Sequence, residues 1–198
     1  MHPKTRYNIR VAEKRGVKVV EDNSAKTFEA YLKLTKETTQ RQNFYAHSEH
    51  YHRLMWEVLK SKNNEKELAN NLLTAHLFKA TYSNEVLVAW VLFVLGDTLY
   101  YPYGASSNNH REVMASNLMM WEAIKFGKKL GLKKFDMWGA LGPNPDIKDP
   151  WYGFHRFKEG YGGKLTEFVG SYDFVIDRKM YFVYKLLNRI RWAILRLK

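Results

Sequence analysis

The stretch with the clearest chemical potential is Arg156-Phe157-Lys158, set on a short predicted helix and followed by a glycine-rich break at Gly160–Gly163. An ammonium group beside small residues, where another backbone can come close, is suited to steadying the oxyanion of a tetrahedral intermediate. The plainer reading is a solvated lysine at a helix C-terminus, favoured by the dipole. Tyr100, Tyr101 and Tyr103 lie on a strand that runs into Gly104-Ala105-Ser106-Ser107. Alternation places Tyr101 and Tyr103 on one face, where a hydroxyl can reach a phosphate or sugar or the ring can pack in the core. His47, His50 and His52 cluster with Glu49, but at no standard zinc spacing, so no metal is expected and the group reads as helix surface. Asp146 and Asp149 sit in a proline-containing loop where turn formation accounts for them. The chain has no cysteine and no Gly-x-Ser-x-Gly elbow, which removes thiol catalysis, disulfides, Cys-ligated metals and a hydrolase-type serine.

The elements that must carry these residues follow from periodicity. A short helix over 5–15 bears Arg6, Arg10 and Lys14 as a basic stripe at i, i+4 and i+8, a candidate contact for RNA or phosphate. Asn23-Ser24 caps a helix to about Thr39, with Phe28, Tyr31 and Leu32 inward, and Ser48 caps another carrying Tyr51, Leu54, Met55, Val58 and Leu59. The period then changes to that of strands: Leu72–Thr81 and Glu85–Leu95 about a Ser83-Asn84 turn, and Thr98–Tyr103 after Gly96-Asp97. A long helix over His110–Leu130, stopped by Gly131, precedes a strand over Lys133–Trp138, a loop over Gly139–Pro150, the short helix to Glu159, and one or two strands over Leu165–Ile176. Residues 178–198 read as a closing amphipathic helix with Val183, Leu187, Ile190, Ile194 and Leu197 on one side and Lys185, Arg189 and Arg196 on another. The expected fold is α+β: a single domain over 1–177 with a mixed central sheet flanked by helices, then the basic helix over 178–198.

Charge is concentrated at the two ends. The net charge of +12 comes from six basic groups and one acid in residues 1–20 and seven basic groups with no acid in 178–198, while the middle balances. Such ends attract polyanions: RNA, anionic lipid surfaces or sugar diphosphates. At 198 residues with 45% apolar content the chain can bury a real core, and no apolar run is long enough to span a membrane. The N-terminal MHPKTRYNIR lacks the apolar segment of a signal peptide, so the expected location is cytoplasmic.

Element order is that of the GNAT acyltransferase fold. Within it, Arg6–Val19, Thr98–Arg111, Leu118–Gly139 and above all the Tyr-Gly-x-x-Arg-Phe-Lys-x-Gly-x-Gly-Gly run inside Asp149–Phe174 resemble the Fem peptidoglycan aminoacyltransferases (FemA, FemB, FemX), specifically the second of their two tandem GNAT-like domains. The resemblance implies transfer of an amino acid from aminoacyl-tRNA to an amine on the stem peptide of a UDP-linked or lipid-linked peptidoglycan precursor. It assigns oxyanion stabilisation to Lys158 and orientation of the acceptor to the Phe157 carbonyl, and Arg156 of the same motif is expected to bind substrate. An ester on tRNA is already reactive, so no protein nucleophile is needed. The family's Arg-Ser-x-x-Tyr, near the precursor diphosphate, reads here His47-Ser48-Glu49-His50-Tyr51; Tyr51 is kept, while an imidazole replaces the guanidinium fork, weakening diphosphate recognition or making it pH-dependent. Tyr103 joins the expected substrate contacts. No cofactor is expected: where acetyl-CoA users carry a glycine-rich pyrophosphate loop, this chain has Arg111-Glu112-Val113-Met114-Ala115-Ser116. Expected partners are aminoacyl-tRNA, the precursor, the inner face of the plasma membrane, and a second Fem-like chain or a copy of itself. The competing expectations are a GNAT-like N-acyltransferase with another donor, and a silent module that binds RNA, membrane or a partner.

Overall fold

A computed structural model describes residues 1–42, 46–62 and 64–196; Leu197 and Lys198, assigned above to the last helix, lie outside the described residues. The chain divides into two compact units, Met1–Leu165 and Thr166–Lys198.

The first unit is built on a five-stranded sheet in sequential order: β1 (Lys18–Glu21), β2 (Thr74–Tyr82), β3 (Glu85–Leu95), β4 (Thr98–Ser106) and β5 (Lys134–Asp136). The first four pair antiparallel, and β4 pairs β5 in parallel, so the sheet is mixed. Ser83 and Asn84 both adopt positive φ (47° and 66°), the geometry of the tight hairpin turn that matches strand twist. On one face pack α1 (Pro3–Lys14) and α5 (Ala115–Lys129), around Ile9, Trp90, Leu99, Leu118 and Met119. On the other pack α2 (Ala25–Gln42) and α3 (Glu49–Leu59), around Phe28, Tyr31, Trp56, Leu77 and Val91. Both faces are thus covered, which is why β3 reads as a nearly unbroken apolar run. The remaining helices of this unit are α4 (Asn64–Ala69) and α6 (Tyr152–Glu159).

Four differences from the sequence reading have physical causes. Strand β1 is only 4 residues long and exists as an edge pairing to β2, which its own sequence does not announce. The 6-residue α4 is likewise too short to show a period. The long helix begins at Ala115, because His110 and Met114 are left-handed (φ 51° and 59°) and bracket a separate 3₁₀ turn over Arg111–Val113. The strands expected over 165–176 are not formed: no ladder exists for them among the described residues, and a strand is defined by its partner.

In the second unit, α7 (Arg178–Arg196) is an amphipathic helix whose Val183, Leu187, Ile190 and Ile194 are exposed. No helix among the described residues is long and apolar enough to cross a membrane.

Candidate active site

The site begins with a split in the sheet. Parallel pairing of β4 with β5 lasts only from Thr98–Lys134 to Tyr100–Asp136, after which β4 continues to Ser106. Opposite this free stretch β4 is bulged: Phe93 faces Tyr100 and Val91 faces Tyr103, leaving an extra residue at Tyr101-Pro102. Proline has no N–H to contribute to a ladder and fits such a position. The bulge overturns the alternation expected above. Tyr101 enters the core on the α1/α5 face, stacked on Trp90 at 3.9 Å, whereas Tyr103 packs on the α2/α3 face beside Phe93. Gly104 permits this, since a Cβ there would strike the Tyr101 ring and hydroxyl.

Where β5 leaves β4 there is a cavity of about 420 Å³, bordered by Tyr101 and Gly104, by Trp138 and Gly139 after β5, by Phe154 of α6 and by Gln42 of α2. Its size is that of a small-molecule site. It reaches both faces of the sheet, because Phe154 packs against one core and α2 against the other.

Lys158 stands behind this wall. It is only 4% exposed, and its Nζ donates to the Gly139 carbonyl at 2.6 Å. The same Nζ lies 3.8 Å from the Phe154 ring centroid and 5.7 Å from that of Tyr101. Burial lowers its pKa from 10.5 to about 8, with Asp136 opposing the shift. The ammonium is therefore fixed by three groups that line the cavity, although Lys158 itself does not line it. Phe157 turns the other way, edge-on to Tyr161 (5.5 Å) and Trp90 (6.4 Å), and anchors α6 to the core. Arg156 is exposed and does not border this cavity.

Three of the four expected substrate contacts, His47, Tyr51 and Tyr103, come together on the α2/α3 face, whereas Arg156 lies on α6. Ser48 Oγ accepts from the Tyr51 N–H at 3.2 Å and caps α3, which sets Tyr51 in the first turn. The Tyr51 and Tyr103 hydroxyls are 3.3 Å apart, and the His47 ring stacks on Tyr51 at 4.1 Å. Burial, then the Tyr51 hydrogen bond, raises the Tyr103 pKa, so its hydroxyl stays protonated. His52 corrects the surface reading of this cluster: it is 2% exposed, with Nδ1 3.1 Å from the Tyr31 hydroxyl. Burial and then His47 lower its pKa. Period 3.6 carries His52, Met55 and Trp56 inward on α3 and leaves Leu54 and Val58 outside.

Arg6, Arg10 and Lys14 form an exposed ridge on α1, whose Thr5, Ile9 and Ala12 are buried; they border neither cavity. A second cavity of about 190 Å³ lies where α5 begins, beside Ser107, Arg111, Met114 and Ser116. Val113 is fully buried there, and Met114 precedes α5 in the left-handed conformation (φ 59°).

Sequence reasoning missed Trp138, Gly139 and Phe154. Trp138 is left-handed (φ 65°), an arrangement that costs a bulky residue about 1–3 kcal/mol. Asp136 Oδ1 holds it by accepting its N–H at 2.7 Å. The one legible signal was Trp-Gly just after a strand, a place where α/β sheets bind ligands.

Two covered sheet faces, a bulged fourth strand and a fifth that splays away make this a GNAT-type N-acyltransferase fold. The same architecture occurs in the crystal structure of FemX (TM-score 0.75, 19% identity, covering 92% of this chain and 59% of that one). It occurs again in a predicted acetyltransferase with acetyl-CoA from Clostridium acetobutylicum (TM-score 0.52, 13% identity, 79% and 96%). The profile of the FemAB family matches residues 1–62 and 58–189, and the chain belongs to that family. It is 34% identical over 103 residues to a lipid II:glycine glycyltransferase of Staphylococcus haemolyticus, and 33% identical over 91 residues to one of Staphylococcus epidermidis. These matches take in 52% and 46% of this chain but only 24% and 22% of the relatives, so the chain corresponds to part of the proteins it resembles.

Proposed function

We propose that this chain is an aminoacyltransferase domain that moves an amino acid from aminoacyl-tRNA to an amine on the stem peptide of a lipid-linked peptidoglycan precursor. The observation that carries this reading is the buried Lys158 ammonium, fixed to Gly139 at the wall of the cavity in the sheet split. The acceptor amine attacks the ester carbonyl, and the oxyanion that forms is steadied by that ammonium, released from its carbonyl partner. Collapse breaks the bond to the ribose oxygen, which takes the proton lost by the amine. The chain supplies no nucleophile and needs none.

On the opposite face His47, Tyr51 and Tyr103 hold the precursor's diphosphate, the imidazole supplying a single donor where arginine would supply a fork. The relatives' names support a lipid-linked rather than a UDP-linked acceptor. That acceptor places the reaction at the inner face of the plasma membrane, where the acid-free basic helix α7 meets anionic headgroups. The ridge of Arg6, Arg10 and Lys14 serves the RNA backbone. A second Fem-like chain, or a copy of this one, completes the precursor site. Bulky Val113 and Met114 at the start of α5 argue against a coenzyme A donor.

The test is a transfer assay with mixed aminoacyl-tRNAs, acetyl-CoA, and both precursor forms, run alone and with a two-domain Fem protein added. Product from charged tRNA only is expected. Product from acetyl-CoA, or binding of RNA and precursor without turnover in every combination, overturns the reading.

A further inference from the structure

We infer that Trp138 is a stacking shelf for a nucleobase, the one next to the reactive ester on the donor RNA. The inference rests on the donor reading just given and adds a residue and a contact to it.

Three observations converge on this side chain. Its backbone is left-handed at φ 65°, although tryptophan is among the residues least suited to that region. Its indole is 55% exposed, so the strain does not secure a buried anchor. It borders the 420 Å³ cavity in the sheet split, next in sequence to Gly139, whose carbonyl holds the Lys158 ammonium. Strain that persists without a packing return is a mark of a position held for a ligand. The device that holds it is local: Asp136, the last residue of β5, accepts the Trp138 N–H at 2.7 Å and fixes the turn. The Tyr100 ring stands nearly perpendicular to the indole, 6.4 Å away between centroids, which sets the ring's tilt while more than half of the side chain stays exposed.

The occupant follows from the lining. An exposed indole offers a broad π-face to a flat ring, and bases stack on such faces whatever their identity. Gln42, from the last turn of α2, borders the same cavity with an amide that can both donate and accept, as a base edge requires. A base resting on Trp138 leaves its ribose, and the ester on it, beside Gly139 and Lys158. The rest of the lining, with Pro102, Leu141, Trp151 and Phe154, is largely apolar and suits the faces of a flat ring; an aliphatic chain would match it too but leave the Gln42 amide unused.

The test exploits the backbone. Glycine adopts positive φ freely, so Trp138→Gly relieves the strain while removing the shelf. The expected result is a melting temperature unchanged or raised, and a KM for charged tRNA raised tenfold or more, with kcat within about threefold and the precursor KM unmoved. Trp138→Phe is expected to recover most of the lost affinity. Binding of a non-hydrolysable amide-linked aminoacyl oligonucleotide ending in CCA, against the same probe with an abasic terminal residue, isolates the contact. The wild-type chain is expected to lose about tenfold affinity for the abasic probe and the glycine variant to lose nothing further. An unchanged KM in Trp138→Gly, an equal abasic penalty in both chains, or a fall of several degrees in melting temperature overturns the shelf while transfer from charged tRNA continues. Failure of the wild-type chain to bind or use the charged RNA overturns the donor reading and the shelf together.

Discussion

Lys158→Met is expected to lower turnover by at least tenfold with the fold intact, measured as initial transfer rates beside a thermal melt. Methionine keeps the stem's volume against Phe154 and Tyr101 and removes only the ammonium; Lys158→Ala is expected to give the same loss with an added cost from the cavity it leaves. Losing one donor to an oxyanion typically lowers rates by about 10²–10³-fold. The pH dependence separates catalysis from stability. Burial holds the Lys158 pKa at about 8, below its ordinary 10.5, and the ammonium is the useful form. Turnover should therefore fall as pH rises through about 8. In the interval between 8 and 10.5 the unfolded chain binds more protons at this residue than the folded one, so its contribution to stability rises with pH over the same range. An alkaline loss of rate without a loss of melting temperature is the expected signature, absent in Lys158→Met. Unchanged turnover in that variant would reject the role.

Gly104→Ala should be the most damaging small substitution in β4. The added methyl meets two Tyr101 ring carbons at 2.7 Å as well as the hydroxyl, and Tyr101 is clasped against Trp90 and Lys158. Overpacking of this kind costs about 1–3 kcal/mol, readable as a shift in denaturant midpoint. Displacing Tyr101 also moves a wall of the cavity, so transfer should fall at least tenfold. Tyr101→Phe removes the nearest atom of the clash and should return part of both losses in the double variant; additive losses would place the damage elsewhere.

These effects could be anticipated from sequence to different depths. Punctuation was legible: Ser48 as a cap, Ser83-Asn84 as a turn and Gly131 (φ 75°) as a stop each act through their own backbone, so local chemistry decides them. Lys158 stood out in the sequence because motif and glycine break surround it. Its partner was not, since Gly139 lies 19 positions away and meets it only through the fold. The split between Tyr101 and Tyr103 was hidden because a bulge is set by the facing strand, and period two cannot foretell an inserted residue. His52 was misplaced for a related reason: three histidines in six residues look alike in composition, and only the packing of α3 against Tyr31 separates the buried one from its neighbours. The apolar alternation over 165–176 misled in the opposite sense, a capacity for pairing with no partner strand among the described residues.

Because β5 departs after Tyr100, the sheet has an open seam that can be approached from either side. On the proposed reading, a charged RNA arriving past α6 and a precursor arriving past α2 would come through separate doors, and neither would have to vacate the site before the other entered. Direct passage of the acyl group from one to the other, as proposed, requires both reactants to be present at once, in whichever order they arrive.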